Sequence, residues 1–322
     1  MSSSNSAIGG YLQLETPQQK RTWHQGALQY QSARAAFCSL LQSMPNVSRV
    51  WMPAYICDSM LSPIKFSGKE FVFFHINEKF DIATKIELEK NDLLLYVNYF
   101  GGCEPNIHRI LEKYNRQQVI IDCSQAFYAG PYNCLATIYS PRKFFGVPDG
   151  GIMFSNREIT PVIEQDEDSI SRMDHLIARL ALSAEMGYAS YQRAEASLEN
   201  CSPKKMSVLT QKLLESIDYL AVQKCRLRNF SILQKALGDK NQLNFDFSTI
   251  TPLCYPYLPK NLISKNHLAE NSVFIPTYWQ DALNRNELNE FESTLASRLV
   301  AIPCYQGLVE SDIEILIEEM NS

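Results

Sequence analysis

The chain has 322 residues, 45% of them hydrophobic and 20% charged, with a net charge of −5 from interspersed acids and bases. This balance describes a globular protein able to bury a sizeable core, as one large domain or a large one with a smaller attachment. The absence of a basic block or acidic tail argues against nucleic-acid binding, and no apolar run approaches the roughly 20 residues that cross a bilayer.

The N-terminal MSSSNSAIGG lacks the basic start and apolar stretch of a secretory signal. Nine cysteines stand as singletons, an odd number without a CxxC pair, and the five histidines supply no HxxxH or HxH pair. Neither a disulfide framework nor a zinc site is expected. These features describe a cytoplasmic, reduced, metal-free protein with no membrane segment.

From about residue 30, ARAAFCSLLQSM has helical apolar spacing, and QSAR ahead of it offers a serine cap. VSRVWMP reads as a strand ending at proline, ICDSMLSPIKFSG as a helix ending in glycine and EFVFFHI as a strand. NDLLLYVNYFG is a buried strand, NIHRILEKYN a helix, QQVIIDCSQAF and LATIYSP further buried strands, and GGIMFSN the last of the series. Continuous apolar strands separated by helices predict a mostly parallel sheet covered by helices on both faces. In such sheets a ligand lies beyond the carboxyl ends of the strands, where Asn98, Asp122, Ser140 and Lys143 all fall.

Residues 160–238 read as long helices, clearest in EQDEDSISRMDHLIARLAL and KKMSVLTQKLLESIDYLAVQKCRLRNFSILQKAL, closed by Gly238. Beyond them TPLCYPYLPK, NSVFIPTYW and RLVAIPCYQGL are short strand-like pieces, and ESDIEILIEEM is a closing amphipathic helix. The expected division is a large α/β domain over 1–238 and a small α+β domain over 239–322.

The stretch YSPRKFFGVPDGG, residues 139–151, places Lys143 between a Ser-Pro turn and two phenylalanines, ahead of a Gly pair. A chemically used lysine keeps such company when partial burial lowers its pKa; a stem lying over the core with its ammonium in water is the plainer alternative. Asp122 could cap the turn after its strand, Ser32 could be a plain helix cap and Arg34 an exposed helix residue. PDGG lacks the GK[ST] ending of a phosphate loop and reads as a turn containing Asp149. Tyr278 and Trp279 read as packing or as the border of a substrate pocket, and the cysteines as small buried hydrophobes.

In order, PAYICDSM, YVNYFGG, IDCSQAF, YSPRKFFGVPDGG and AIPCYQGLVESDIEILIEEM resemble the DegT/DnrJ/EryC1/StrS group of nucleotide-sugar aminotransferases, over about residues 28–320. The most specific elements are Asp-x-x-Gln after a buried strand and a lysine about twenty residues on, ahead of Gly-Gly. The resemblance implies the fold-type-I architecture of enzymes that use pyridoxal 5′-phosphate (PLP). It implies a transaminase, at work in polysaccharide or amino-sugar biosynthesis, that moves an amino group from glutamate or glutamine to a nucleotide-linked keto-sugar, and a homodimer.

The resemblance puts Lys143 where an amine holds the PLP aldehyde and later moves the substrate proton. It puts Asp122 against the pyridine nitrogen, kept protonated by the charge-assisted bond, and Gln125 against the ring or its phenolic oxygen. Ser32, Ala33 and Arg34 match the phosphate turn at a helix start, and Ser140 offers a further hydroxyl.

Several positions depart from the pattern. Ile138 replaces a serine five residues before the lysine, and Cys57 replaces the stacking aromatic, a task that Tyr55 could take. Asn98 stands where a histidine is common, and Pro203 replaces the asparagine that reaches the neighbouring subunit's phosphate. These departures leave open a non-catalytic sugar-nucleotide-binding relative, or a PLP enzyme of the same fold with another reaction, although the dehydratase branch replaces the lysine by histidine and position 143 keeps it.

Overall fold

The computed structural model describes residues 10–17, 22–243, 245, 251–285 and 287–321. The Ser-rich start and the outer limits of the expected division, at 1 and 322, lie outside the described residues.

The chain enters through β1 (Leu28–Tyr30), a strand the sequence reading leaves out, and α1 (Ala33–Gln42). β2 (Arg49–Pro53), α2 (Ser62–Phe66), β3 (Glu70–Phe74), β4 (Asp92–Val97) and α3 (Glu104–Lys113) follow. β5 (Val119–Asp122), β6 (Ala136–Tyr139) and β7 (Gly151–Ser155) complete a seven-stranded sheet ordered β1-β7-β6-β5-β4-β2-β3. The pairs among β3, β2, β4, β5 and β6 are parallel, while β7 runs antiparallel to both neighbours. Every residue of β4, β5 and β6 is buried, which is why these strands read as unbroken apolar runs rather than alternating ones. The mostly parallel α/β fold is as expected.

Local chemistry explains the helices. Ser32 caps α1 by accepting from the Ala35 amide at 3.1 Å, and nearly all of α1 is buried. The helix expected over ICDSMLSPIKFSG is broken into a 3₁₀ turn at Asp58–Met60 and α2, because Pro63 lacks an N–H and starts a helix more readily than it continues one.

The helix expected over EQDEDSISRMDHLIARLAL survives as α4 (Asp174–Ala181). Before it, a buried Arg172–Asp166 pair with a shortest contact of 2.8 Å holds an irregular turn. α5 (Ala184–Ser197), α6 (Val208–Glu215) and α7 (Tyr219–Leu237) follow, capped by the side chains of Ser183, Ser207 and Asp218. The Asp218 cap divides what reads as one helix from 204 to 237.

The C-terminal part contains β8 (Cys254–Tyr257), α8 (Lys265–Glu270), α9 (Glu290–Arg298), β9 (Val300–Pro303) and α10 (Glu310–Asn321). β8 and β9 form an antiparallel pair. NSVFIPTYW contains no strand, and α8 and α9 are unforeseen. α9 starts with a capping box between Asn289 and Glu292, and the fully buried Glu292 also accepts from the Ile76 amide at 2.9 Å, tying this helix to the end of β3. A second core joins Phe230, Leu233 and Leu237 of α7 to Tyr255, Ile302 and Leu316. Tyr219, at the other end of α7, belongs to the main core. This helix therefore links the two cores.

Among the described residues no helix is long and apolar enough to cross a membrane. His24 anchors the N-terminal approach: its Nε2–H donates to the Phe127 carbonyl at 2.7 Å, and its ring lies 4.0 Å from that of Tyr139. Burial lowers its pKa from 6.5 to about 4. The unfolded chain thus binds the extra proton first, so stability is full above about pH 6.5 and falls as pH drops towards 4. In urea titrations at pH 7 and pH 4.5, the wild type should lose about 2–3 kcal/mol more than His24→Gln; equal losses would show that this imidazole is not held neutral.

Candidate active site

The register of three parallel strands defines the site. Val97 pairs with Asp122, and Asp122 with Ile138, so β4, β5 and β6 end level with one another. The residues that follow the strands, Asn98, Cys123 and Ser140, leave the sheet at one edge. Ile138, fully buried in β6, serves the sheet.

Asn98 is fully buried and already occupied. Its amide donates to the Asp122 carbonyl at 2.9 Å, its Oδ1 accepts from the Cys103 amide at 3.0 Å, and its Nδ2 donates to the Tyr132 hydroxyl at 3.4 Å. It holds the turn after β4 rather than offering a free group to a ligand. Within that turn Phe100 has φ +56°, a left-handed conformation uncommon outside glycine. The Phe100 amide donates to Gln125 Oε1 at 2.9 Å, which steadies the strained residue. The other end of the same side chain, Gln125 Nε2, is buried without any hydrogen-bond partner. Leaving a buried donor unsatisfied costs about 1–3 kcal/mol, so the position calls for an acceptor. Asp122 is 4% exposed; Oδ1 accepts from the Ser124 amide at 2.8 Å, and its other oxygen makes no hydrogen bond among the described residues.

Lys143 closes a 3₁₀ turn, Pro141–Lys143, directly after β6. The expectation of a partly buried lysine is corrected here: Phe144 and Phe145 turn into the core while Lys143 is exposed. Its ammonium makes no hydrogen bond or ion pair among the described residues, whereas Arg142 is paired with Glu195 of α5. The Ser140 side chain does not cap the turn.

Lys143 lines a cavity of about 300 Å³ together with Phe144, Arg226, Cys254, Tyr278 and Gln306. Cys57 is half-buried and hydrogen-bonded to the Ser59 hydroxyl at 2.8 Å. Burial pushes the Cys57 thiol up, the Lys143 charge pulls it back and the Asp122 carboxylate adds to the rise. Both charges thus act on Cys57.

The Gly pair has a packing reason. A Cβ on Gly151 would lie 2.1 Å from the Ser32 carbonyl carbon and oxygen and 2.4 Å from the Ala33 nitrogen. Gly150 has φ +132°, and its amide donates to the Gln31 carbonyl at 2.7 Å. The pair thus seats Ser32 and Ala33, at the start of α1, against the head of β7. Asp149 is fully buried and accepts from the Ser207 amide at 3.1 Å and hydroxyl at 2.5 Å. It joins the turn to α6 rather than orienting Lys143.

Two further expectations are corrected. Arg34 is no exposed helix residue: its Nη1 donates to the Leu198 carbonyl at 2.6 Å, at the end of α5, where a cation suits the helix dipole, and its Nε is buried without a partner. Tyr55 is fully buried, stacked on Tyr99 at 5.8 Å and set edge-on to Trp279 at 4.5 Å, so its ring faces other rings. The Pro203 segment runs beside Gln31 of the same chain, with Lys204 N bonded to Gln31 Oε1 at 2.7 Å. Tyr278 reaches the cavity and Trp279 belongs to the aromatic packing. Sequence reasoning missed Arg226 and Gln306 in the cavity wall, since a charged residue within a charge-rich helix gives no sign of being buried.

No family model matches the chain, and no curated protein is similar to it. Among solved structures it resembles NtdA from Bacillus subtilis, solved with bound cofactor PMP, at 17% identity and TM-score 0.65 over 92% of this chain and 72% of that one. A DegT DnrJ EryC1 StrS aminotransferase from Brucella abortus aligns at 16% identity and TM-score 0.62, covering 92% and 85% of the two chains. A sugar aminotransferase from Micromonospora echinospora aligns at 15% identity and TM-score 0.60, covering 91% and 86%. These likenesses establish the fold expected of fold-type-I PLP enzymes.

The close approach at Gly151 yields a direct test. Gly151→Ala should give little soluble folded protein, or a chain destabilised by about 3 kcal/mol or more, because backbone rather than a flexible side chain obstructs the new methyl. Circular dichroism and urea unfolding check this, and a wild-type midpoint would show that α1 does not seat on β7 this closely.

Proposed function

We propose that the chain is a PLP-dependent aminotransferase that takes its amino group from glutamate or glutamine and delivers it to the ketone of a nucleotide-linked sugar, in polysaccharide or amino-sugar biosynthesis. The observation that carries this reading is the donor set at one strand edge. Buried Asp122 has an oxygen to spare, Gln125 has an unpartnered amide N–H, and Lys143 has an unpaired amine. An acid for a pyridinium nitrogen, an amide for a ring oxygen and an amine for an aldehyde are what PLP needs, so the residues fit the group. The solved neighbours, among them one with bound PMP, lend the same support.

When bound, PLP supplies an aldehyde that exchanges amines and a cationic ring that draws electrons from the substrate carbon. Asp122 keeps the proton on the ring nitrogen by a charge-assisted hydrogen bond. Gln125 Nε2 donates to the ring edge while its Oε1 stays on the Phe100 amide. Lys143 Nζ would hold the aldehyde carbon and, when free, would take and return the substrate proton. Ser32, Ala33 and Ser140 lie where a phosphate would be received, at the start of α1 and the end of β6. Because donor and acceptor use one site in turn, ping-pong kinetics follow.

We also assign the protein to the cytoplasm as a homodimer. All nine cysteines are free. Ile177, Leu180, Met186 and Tyr188 expose a largely apolar surface on α4 and α5 that self-association would cover.

Added PLP should give the purified protein a visible absorbance band, bleached by glutamate and restored by the right member of a panel of nucleotide keto-sugars. Lys143→Ala should keep the fold by circular dichroism and lose that band and all turnover; full turnover would end the assignment. Asp122→Asn should bind PLP more weakly and turn over at least about tenfold more slowly, since a hydrogen bond to a charged group is worth about 1.5–3 kcal/mol. Wild-type rates would remove Asp122 from its role.

A further inference from the structure

Arg226 of α7 is 2% exposed and has no carboxylate within ion-pair distance among the described residues. Its Nε donates to Gln306 Oε1 at 3.0 Å, Nη1 to the Leu253 carbonyl at 3.0 Å and the Pro252 carbonyl at 3.4 Å, and Nη2 to the Phe144 carbonyl at 3.1 Å. The guanidinium carbon also lies 4.7 Å from the Phe144 ring. These are neutral partners, four acceptors for five N–H groups, so the charge itself is uncompensated. Burying an unpaired ion costs several kcal/mol, and guanidinium does not escape by deprotonation.

Arg226 lies in the wall of the cavity that also takes Lys143, and that wall contains no Asp or Glu. Arg142, the third cation there, is already matched by Glu195. Two cations without a carboxylate partner line this cavity with Tyr278 and Gln306, and the Arg226 guanidinium has four acceptors for its five N–H groups, a set suited to an anion. At about 300 Å³ the cavity is at the small end of ligand sites, suited to an amino acid and too small for a whole sugar nucleotide. Gln306 Nε2 and Arg226 both donate to the Phe144 carbonyl, next to Lys143, at 3.0 and 3.1 Å, so the cation and the amine are held to one turn.

We propose that this cavity is the amino-donor subsite, in which Arg226 receives a carboxylate of the donor and Gln306 holds the guanidinium in place. The proposal rests on the transaminase reading for the word donor, and on the cavity alone for the anion. It makes Arg226 a binding residue and Gln306 a positioning residue.

The test is calorimetric titration of the full chain, with and without PLP, at constant ionic strength. The probes are glutarate, a dicarboxylate with no amine to react, and inorganic phosphate. Glutarate should bind the wild type more tightly than phosphate does. Arg226→Met should weaken glutarate at least tenfold. Because that change strands several carbonyls and could prevent folding, Gln306→Glu is the second variant. It has nearly the same shape but gives Arg226 an internal carboxylate, and it should weaken glutarate at least tenfold in a chain with wild-type circular dichroism.

No glutarate binding to the wild type, or unchanged affinity in Gln306→Glu, overturns the subsite. Tighter binding of phosphate overturns the donor assignment and gives the cavity to a phosphate group. If Arg226-dependent glutarate binding is found but PLP never produces an absorbance band, the anion subsite stands and the transaminase reading fails.

Discussion

The in-register ends of β4, β5 and β6 are the constraint on which the candidate site depends. Parallel strands present their successive carboxyl ends to the same edge, and the pairing of Val97, Asp122 and Ile138 makes that edge level. A slip of one residue in β5 would turn Asp122 to the opposite face and carry Gln125 with it. Close packing of side chains of different shape on the two buried faces opposes such a slip.

Around that edge, polar groups are divided between holding the backbone and remaining available. Gln125 does both, one end steadying left-handed Phe100 and the other unpartnered. Asn98 and Asp149 are wholly committed, to the turn after β4 and to the cap of α6. The aromatic cluster of Tyr55, Tyr99 and Trp279 brings the C-terminal part against the main core. Arg285 strengthens that junction, donating to the carbonyls of Ala54 and Ile56 and pairing with Asp58. Arg226 does the same at the Phe144 carbonyl, so the turn that carries Lys143 is held by both parts of the chain.

Much of the sheet was legible because buried parallel strands are written as local apolar runs, and α1 because Ser32 stands ahead of a helical pattern. β1 was not legible: its three residues are fewer than any periodic signal needs. The breaks at Pro63 and Asp218 and the buried Asp166–Arg172 pair show why long helical patterns mislead. A cap or an ion pair in the middle of a favourable stretch outweighs average propensity. In the candidate site, the positions of Asp122 and Lys143 at or just after strand ends were legible, whereas Gln125 was singled out only by the family resemblance. Arg34, Tyr55 and Asn98 were not legible, since each meets a partner that spacing does not reveal.

By itself the sequence determined the buried strands β4 to β7 and the capped start of α1, which follow from patterns a few residues long, and it placed Asp122 and Lys143 at or just after strand ends. Only the tertiary structure decided that Lys143 is exposed while its two neighbours are buried, that Gly151 must lack a side chain and that Arg226 faces the same cavity as the lysine. The physical reason is distance along the chain: the Arg226 donor and the Phe144 carbonyl are separated by 82 positions. No local rule of spacing or propensity can anticipate which backbone group a buried cation will meet.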